Sequence, residues 1–487
     1  MITMAGFDFG TTTSSAVFAR AKVVRNGITG VMEYATPEIF FAAEPQYTPY
    51  LSKPSEVDSE PDSELIDEQV LASYIDFWLG AAQINSGEIS AGGAIVTGLA
   101  AQKENASAIR GLIRARIGDA VIATANDPSL ESWLAFMGSA RDLSRELSAK
   151  PLINLDIGGG TTNIALGTNG QVHSTGCLFI GARHVRVTPG TYRVVGLSSY
   201  ARHLFAHLRI AKKEGDDLSE RERGAIVDFY VTTIRHAITK NSPAFEGCAK
   251  FHEQAHFSFP PWMSESTAPF EAPARSAIAV SGGVGELVYQ AMDGELPASI
   301  TPFGDLGWDL ALKIAGDDFF SASLKQQRPK NMGRATAFGL ALHNTEISGT
   351  TIYLPPTVTL PLTDLPVIGR VSSAVTSEGI IPLLNLAAKS GAGAAIQVEG
   401  KFIGAKGVQQ FAASLREALH KVAYPRDKVL VFLIDGNVGK AVGSLATSWG
   451  QNFYRLVVID EVSLRDASFV NLGKMIHQIV PVSFYGM

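Results

Sequence analysis

The sequence predicts an α/β protein made of two similar lobes around a cleft, followed by a separate C-terminal α/β domain. Three observations predict it. One strand–turn–strand pattern occurs twice, a third glycine turn between a strand and a helix follows the second copy, and the texture of the chain changes after Gly349.

The first copy reads Phe7-Asp8-Phe9-Gly10-Thr11-Thr12-Thr13 and runs on into Ser14 and Val17. The second reads Leu155-Asp156-Ile157-Gly158-Gly159-Gly160-Thr161-Thr162 and runs on into Asn163 and Leu166. Both share Asp-x-Gly-x-x-Thr followed by an apolar strand. Each is then followed by an Asn-Gly pair, Asn26-Gly27 and Asn169-Gly170, the strongest short signal for a tight turn between antiparallel strands. Both segments therefore predict a strand, a phosphate-sized turn, a strand, a tight turn and a strand. Two copies of one unit suggest lobes that face each other, the actin-like architecture, with 1–150 as the first lobe, carrying an inserted segment at about 40–95, and 151–348 as the second.

Between the copies, 55–68 is acidic and proline-containing, so it buries little and reads as a solvated loop. The spacing of Val70, Leu71, Tyr74, Ile75, Trp78 and Leu79 predicts a helix over 69–79. Buried strands are expected at 94–99 and 120–123, with a helix at 106–117 between them. The stretch 249–273, rich in aromatics and prolines, reads as an inserted surface loop. Beyond it, 350–371 is proline-interrupted strand material, 409–422 is helical, and apolar strands at 429–434 and 456–459 flank a helix-like stretch. These define the C-terminal α/β domain, 349–487.

With 487 residues, 46% of them hydrophobic, the chain has apolar material for two or three cores. Its 41 basic and 47 acidic residues give a net charge of −6, without the cationic excess that neutralises a phosphate backbone, so nucleic acid is not an expected partner. Two cysteines, Cys177 and Cys248, are too few for a disulfide scaffold and fit a reducing, cytoplasmic setting. No apolar run reaches the roughly 18 residues that span a bilayer. A membrane partner is not expected.

A triphosphate needs backbone N–H donors close to its oxygens, which requires glycine where side chains would collide, and hydroxyls that add donors. Gly10, Thr11, Thr12 and Thr13 in one loop, and Gly158, Gly159, Gly160, Thr161 and Thr162 in the other, meet this requirement. Asp8 and Asp156 would face each other across the cleft and hold Mg²⁺ largely through its water shell, because that ion dehydrates reluctantly. Either loop alone could be an ordinary glycine turn. The third element, Ser281-Gly282-Gly283-Val284-Gly285-Glu286, is strand, turn and helix, and Gly282, Gly283 and Gly285 would let the backbone lie against adenine or ribose. Three such loops in order point to ATP with magnesium. Glu131 is a candidate to polarise an attacking water, with a capping or surface role as the alternative.

The three loops resemble those of the superfamily containing actin, sugar kinases and heat-shock chaperone ATPases. Within it the chain resembles the ethanolamine ammonia-lyase reactivating factors, the EutA family, over nearly all its length. The resemblance is carried by the two phosphate loops, Thr97-Gly98 with Asn105-Ala106, Leu130-Glu131-Ser132, Ser281 to Glu286, Gly439-Lys440-Ala441, Val458-Ile459-Asp460-Glu461-Val462 and Val480-Pro481-Val482. The C-terminal runs are the most telling, because generic superfamily members lack them. The resemblance implies a chaperone-like ATPase whose partner is ethanolamine ammonia-lyase, using ATP and Mg²⁺ to free the lyase of damaged cobalamin so that adenosylcobalamin can bind. The cobalamin would belong to the partner, since no cobalamin signature occurs here. Leu99 departs from the acid expected after Thr97-Gly98, and the 249–273 loop looks unlike the family.

Two further motifs stand apart. His252-Glu253-Gln254-Ala255-His256 matches the zinc-protease helix pattern, but Pro260-Pro261 would stop the helix and no third ligand is evident. Gly436-Asn437-Val438-Gly439-Lys440 suggests a second phosphate loop, but lacks the Walker spacing and the hydroxyl after lysine, so a strand-to-helix turn is the expected reading. A small-molecule kinase of the same fold and a nucleotide-gated scaffold remain alternatives, and a homo-oligomer is open.

Overall fold

In a computed structural model, the described residues are 1–51, 65–117, 128–148, 150–239, 276–391 and 393–486. The expected strand at 120–123 and the loop at 249–273, with His252, Glu253 and His256, lie outside them, as does most of the acidic loop.

Strand Ile2–Phe9 pairs antiparallel with Thr13–Ala21 and parallel with Ile89–Val96, and Glu38–Ala42 closes the outer edge. The second copy repeats this arrangement. Leu152–Ile157 pairs antiparallel with Thr162–Thr168 and parallel with Ala277–Ser281, with Gln171–Leu178 on the outer edge. Asp8 stands opposite Ser15 and Ile95, and Asp156 opposite Asn163 and Ser281, so the two carboxylates occupy equivalent positions. The third sheet has seven strands, ordered Thr345–Ile347, Pro481–Tyr485, Phe469–Leu472, Leu362–Ser372, Ala394–Glu399, Val429–Ile434 and Arg455–Ile459. Along Val429–Ile434 the side chains alternate between two cores. Leu430, Phe432 and Ile434 meet the helices Ser377–Ala387 and Gly404–Val422, while Val429, Val431 and Leu433 pack on the opposite face. A strand buried on both faces reads as the continuous apolar run it is.

Of the two Asn-Gly turns, only one is tight. Asn169 and Gly170 both have positive φ, 52° and 77°, and connect Thr168 directly to Gln171, the two-residue turn whose twist matches the strands. At Asn26-Gly27 the hairpin is wider, with Val23–Arg25 paired to Met32–Tyr34 and Asn26 N–H donating to Val31 O at 2.9 Å. There the Asn26 side-chain oxygen accepts from Ile28 and Thr29 N–H, and Gly30, not Gly27, takes the left-handed position. The side chain's own hydrogen bonds outcompete the tight turn.

The helix expected at 69–79 spans Glu68–Ala81, started by Asp67, whose carboxylate accepts from Gln69 and Val70 N–H; such a cap contributes about 1 kcal/mol. It buries Leu71, Ile75 and Trp78, and the Trp78 ring lies 6.3 Å from both Phe7 and Phe9, supporting the strand that carries Asp8. The helix Ala106–Ile117 falls where its periodicity places it. The strand expected at 94–99 ends at Val96 instead, because Gly98, with φ 57°, turns the chain into the short helix Gly98–Gln102.

One helical stretch joins the lobes. From Pro128–Ala135 it passes through a π turn, Phe136–Ala140, into Arg141–Glu146. Leu130 and Leu134 pack with Ile95 of the first sheet, whereas Phe136 and Ala140 pack with Leu152, Ala165 and Ala279 of the second. The helix Ala335–His343 lies over Val17 and against this connection, and Tyr485 of the last strand joins Ile95, Leu130 and Leu134. At the end of that helix, burial, reinforced by the Arg141 guanidinium 3.5 Å away, pushes the His343 imidazole down to about 4. Asp142 opposes this shift, and Arg145 and Arg465 add to it. Between pH 6.5 and 4 the unfolded chain therefore takes up a proton that the folded chain refuses, so stability falls as pH falls. The full loss is about 3 kcal/mol. In His343→Asn this component is expected to vanish, and denaturation midpoints of the variant and the parent at pH 7 and pH 4.5 check it.

Among the described residues, no helix is long and apolar enough to cross a membrane.

Candidate functional site

The two hairpin loops and the Ser281 turn converge on one cleft of about 460 Å³ between the lobes. Asp8 and Asp156 lie on its floor. Gly10, Thr11, Thr12 and Thr13 line one wall, Gly158, Gly159, Gly160 and Thr161 the other, and Gly282 and Gly283 one end; Glu131 borders it from the interlobe helix.

The two loops share one backbone design. Gly10 N–H donates to Thr13 O at 3.0 Å, and Gly158 N–H to Thr161 O at 2.9 Å. They also nearly touch. A Cβ on Gly159 would overlap Thr12 Oγ1, and one on Gly98 would overlap Thr11 Oγ1. Glycine is needed here for approach, which is the physical reason a sequence pattern marks the loop.

Two expected residues do not line the cleft. Thr162 begins a strand, so alternation turns it away from Thr161; it is fully buried and its hydroxyl donates to Ile180 O at 2.8 Å. Gly285 sits inside the helix Gly282–Met292, where a Cβ would stand 3.0 Å from the Val280 carbonyl carbon, so it serves close helix-to-strand packing.

The floor is electrostatically loaded. Burial, and secondarily the Asp156 charge, push the Asp8 carboxyl up to about 7, with a long 3.4 Å hydrogen bond from Thr97 Oγ1 opposing. Burial pushes Asp156 up to about 6, opposed by the Ser281 hydroxyl, which donates at 2.6 Å and is itself held by Asn154 Nδ2. Two carboxylates desolvated together suit a divalent cation, whose charge would reverse both shifts. Thr12 Oγ1 is buried without a partner and supplies an unspent hydroxyl beside them. Among the described residues no group of three or more acidic, histidine or cysteine side chains gathers, so a cation held by these two aspartates would keep most of its water, as Mg²⁺ does. The residues present fit that ion.

Other cleft residues carry no motif of their own. Asn163 Nδ2 reaches Thr161 Oγ1 at 3.4 Å, and Glu286 and Gln290 project from one face of the helix behind the Ser281 turn. Across the mouth, Tyr47 O–H donates to Pro302 O at 3.2 Å, and its ring meets Phe303 edge-on, linking the lobes. The two Tyr47 contacts join residues more than 250 positions apart and leave no local signal.

The other suspected phosphate loop is closed by its own chain. Gly439 N–H, at the start of helix Gly439–Ala446, donates to Asp460 Oδ2 at 3.2 Å, and Thr351 Oγ1 bonds Asn437 Oδ1 at 2.6 Å. A carboxylate already stands where an anion would bind. The strand-to-helix turn is the structure found.

Two lobes with the same hairpin and parallel strand, facing across a cleft with paired aspartates, define an actin-like fold. The family model for "Ethanolamine utilisation protein EutA" matches residues 1–485, and the chain belongs to that family. It is 26% identical over 486 residues to the ethanolamine ammonia-lyase reactivase EutA of Escherichia coli strain K12, covering 98% of this chain and 96% of that protein. It is 26% identical over 491 residues to the reactivase of the same name from Salmonella typhimurium strain LT2, with the same coverages. Among solved structures it is similar to the Aquifex aeolicus Ppx/GppA phosphatase, type II variant, at 12% identity and a TM-score of 0.32, over 61% of this chain and 73% of that one.

Proposed function

We propose that the cleft binds ATP with magnesium and hydrolyses it, and that this cycle drives reactivation of ethanolamine ammonia-lyase. In this reading damaged cobalamin leaves the lyase and adenosylcobalamin rebinds. The observation that carries the nucleotide part is the convergence of two matched glycine–threonine loops on a pair of buried carboxylates. The named relatives support the lyase part.

Asp8 and Asp156 would hold the magnesium through its waters, and the cation neutralises charge on the phosphate oxygens when bound. The loops would cradle the β- and γ-phosphates with backbone N–H groups, and Gly282 and Gly283 would lie against the nucleoside. Glu131, on the interlobe helix, is the cleft carboxylate suited to orient an attacking water, so that catalysis is mostly positioning. The same helix packs on both lobes, so lobe closure would move it. Trp133, two residues further on, lies under the Arg465 guanidinium, which also pairs with Glu346. Residues 1–150 and 151–348 would act as the closing lobes, and 349–487 would carry the motion to the partner.

The test is a paired assay on the purified chain: ATP hydrolysis with Mg²⁺, and ATP-dependent recovery of lyase inactivated by a cobalamin lacking its adenosyl group. Both activities are expected. Hydrolysis without recovery would remove the lyase assignment and leave the nucleotide site standing. No measurable ATP affinity would remove both.

A further inference from the structure

In a trans peptide the C=O and the following N–H point in opposite directions. What holds a loop's carbonyls therefore decides where its N–H groups aim. In the first loop, Gly10 O accepts from Thr48 Oγ1 at 2.6 Å, Thr11 O from the Tyr50 hydroxyl at 2.8 Å, and Thr12 O from Thr48 N–H at 2.9 Å. In the second loop, Gly158 O accepts from Ala182 N–H at 3.1 Å, Gly159 O from Arg183 N–H at 2.7 Å, and Gly160 O from His184 Nε2 at 2.8 Å. Three consecutive carbonyls are pinned in each loop. The residues whose N–H groups are thereby turned the other way are Thr11, Thr12 and Thr13 in one, and Gly159, Gly160 and Thr161 in the other. All six line the cleft.

Three of the six pins are side chains, and their proton directions are determined. The Thr48 proton goes to Gly10 O, so Ser14 Oγ, 2.9 Å away, donates to Thr48. A carbonyl cannot donate, so His184 carries its proton on Nε2. In the neutral imidazole Nδ1 accepts from Ser198 Oγ at 2.8 Å, while Ser198 Oγ accepts Ala201 N–H as the cap of helix Ser199–Leu208. His184 is 1% exposed and Thr48 4% exposed, so water does not compete for these bonds. Removing the Thr48 or the His184 side-chain pin frees a peptide unit bordered by glycine, the residue least able to hold its own orientation, and removing the Tyr50 hydroxyl frees the Thr11–Thr12 unit next to it.

We infer that Thr48, Tyr50 and His184 are positioning residues that set the phosphate affinity of the cleft by fixing the direction of the loop amides. This rests on the nucleotide reading above and adds three residues that touch no phosphate. Binding of MgATP and of adenosine to the full chain tests it, each measured by calorimetry or by competition with a fluorescent ATP. Tyr50→Phe and Thr48→Val, which delete one hydroxyl each, and His184→Leu are expected to weaken MgATP binding about five- to tenfold, one lost charge-aiming hydrogen bond apiece. Adenosine affinity should stay within about twofold of the parent, since its contacts lie at the Ser281 turn; both ranges follow from a single bond's worth. His184→Gln, which can present an amide N–H near the Nε2 position, is expected to recover most of the loss. Equal losses for MgATP and adenosine, or unchanged MgATP binding in Tyr50→Phe, would overturn the inference while leaving the nucleotide site intact. A parent chain that does not bind MgATP would overturn the nucleotide reading and this inference with it.

Discussion

Asp8→Asn and Asp156→Asn are each expected to lower Mg²⁺-dependent ATP hydrolysis by about 100-fold or more, the scale on which lost charge stabilisation acts in a desolvated site, and at the same time to make the unliganded protein more stable. The second effect separates this expectation from ordinary damage. The Asp8 carboxyl, about 3.8 when unfolded, is held up to about 7 in the fold by burial and by Asp156. From pH 4 to pH 7 the folded chain therefore keeps a proton that the unfolded chain has released, and stability declines as pH rises through that window. Above pH 7 the whole penalty is present. Replacing the carboxylate by an amide removes it, a gain on the order of 2–4 kcal/mol for Asp8 and somewhat less for Asp156, whose value is about 6. The two gains will not add, because the Asp156 charge is part of what raises Asp8. Thermal denaturation at pH 8 without Mg²⁺ reads the gain, and it should shrink at pH 5, where the parent carboxyls are largely protonated. A lower midpoint for both variants at pH 8 would mean that the carboxylates are structural. A pair of buried carboxylates that costs the unliganded fold stability is what a cation-binding function requires.

The same physics explains which parts of the site the chain displayed openly. A Cβ on Gly159 would overlap the Thr12 hydroxyl of the facing loop and one on Gly10 would press on Thr13 O, so the glycines of the two loops are legible as a pattern, and the repeat makes Asp8 and Asp156 a pair without any coordinates. Where the strand begins was less visible: alternation separates Thr161, on the cleft, from Thr162, bonded to Ile180 O behind it, although the motif alone placed both in the loop. The residues that aim the loops were not legible. Thr48 and Tyr50 act 38 and 39 positions from Gly10 and Thr11, and a carbonyl accepts from any donor that reaches it, so no residue type is specified. Ser281 falls inside a recognised turn, but its hydroxyl matters for Asp156, on the neighbouring strand. Asn26-Gly27 misled for a related reason. The dipeptide specifies a turn, and whether the Asn side chain folds it wider depends on the strands it must join. In the C-terminal domain most of the helix Gly404–Val422 and the buried strands Val429–Ile434 and Arg455–Ile459 announced themselves, whereas the helix Ser377–Ala387 and the strand Ala394–Glu399 went unread. The antiparallel strands Phe469–Leu472 and Pro481–Tyr485 are short and mixed in character, and only their partners make them strands.

Gly339→Ala is expected to destabilise the protein by about 3 kcal/mol, the upper range for forcing an extra methyl into a packed interior, although alanine is the better helix former by about 1 kcal/mol. Gly339 lies in the helix Ala335–His343, and a Cβ there would stand 2.7 Å from the Leu134 carbonyl carbon and 2.9 Å from the Leu134 Cα, with the carbonyl oxygen closer still. These are backbone atoms of the interlobe helix, which cannot rotate aside as a side chain would. The crowding is mutual, since a Cβ on Gly138 would overlap Ala335 O and one on Gly6 would overlap Ala337 O. Three glycines thus let one helix lie against both the first sheet and the connection between the lobes. Gly111→Ala is the control. It makes the same substitution in the helix Ala106–Ile117, where nothing lies within 4 Å of the new methyl, so propensity acts alone and a gain of about 1 kcal/mol is expected. Opposite shifts of the two denaturation midpoints would support close backbone contact at Leu134, and shifts of the same sign would refute it. The consequence extends beyond stability, because Leu134 and Leu340 share their cluster with Tyr485 of the last strand. Prying this helix away from the interlobe connection should loosen the C-terminal domain as well, so Gly339→Ala is expected to make the chain near Tyr485 more accessible to limited proteolysis than Gly111→Ala does.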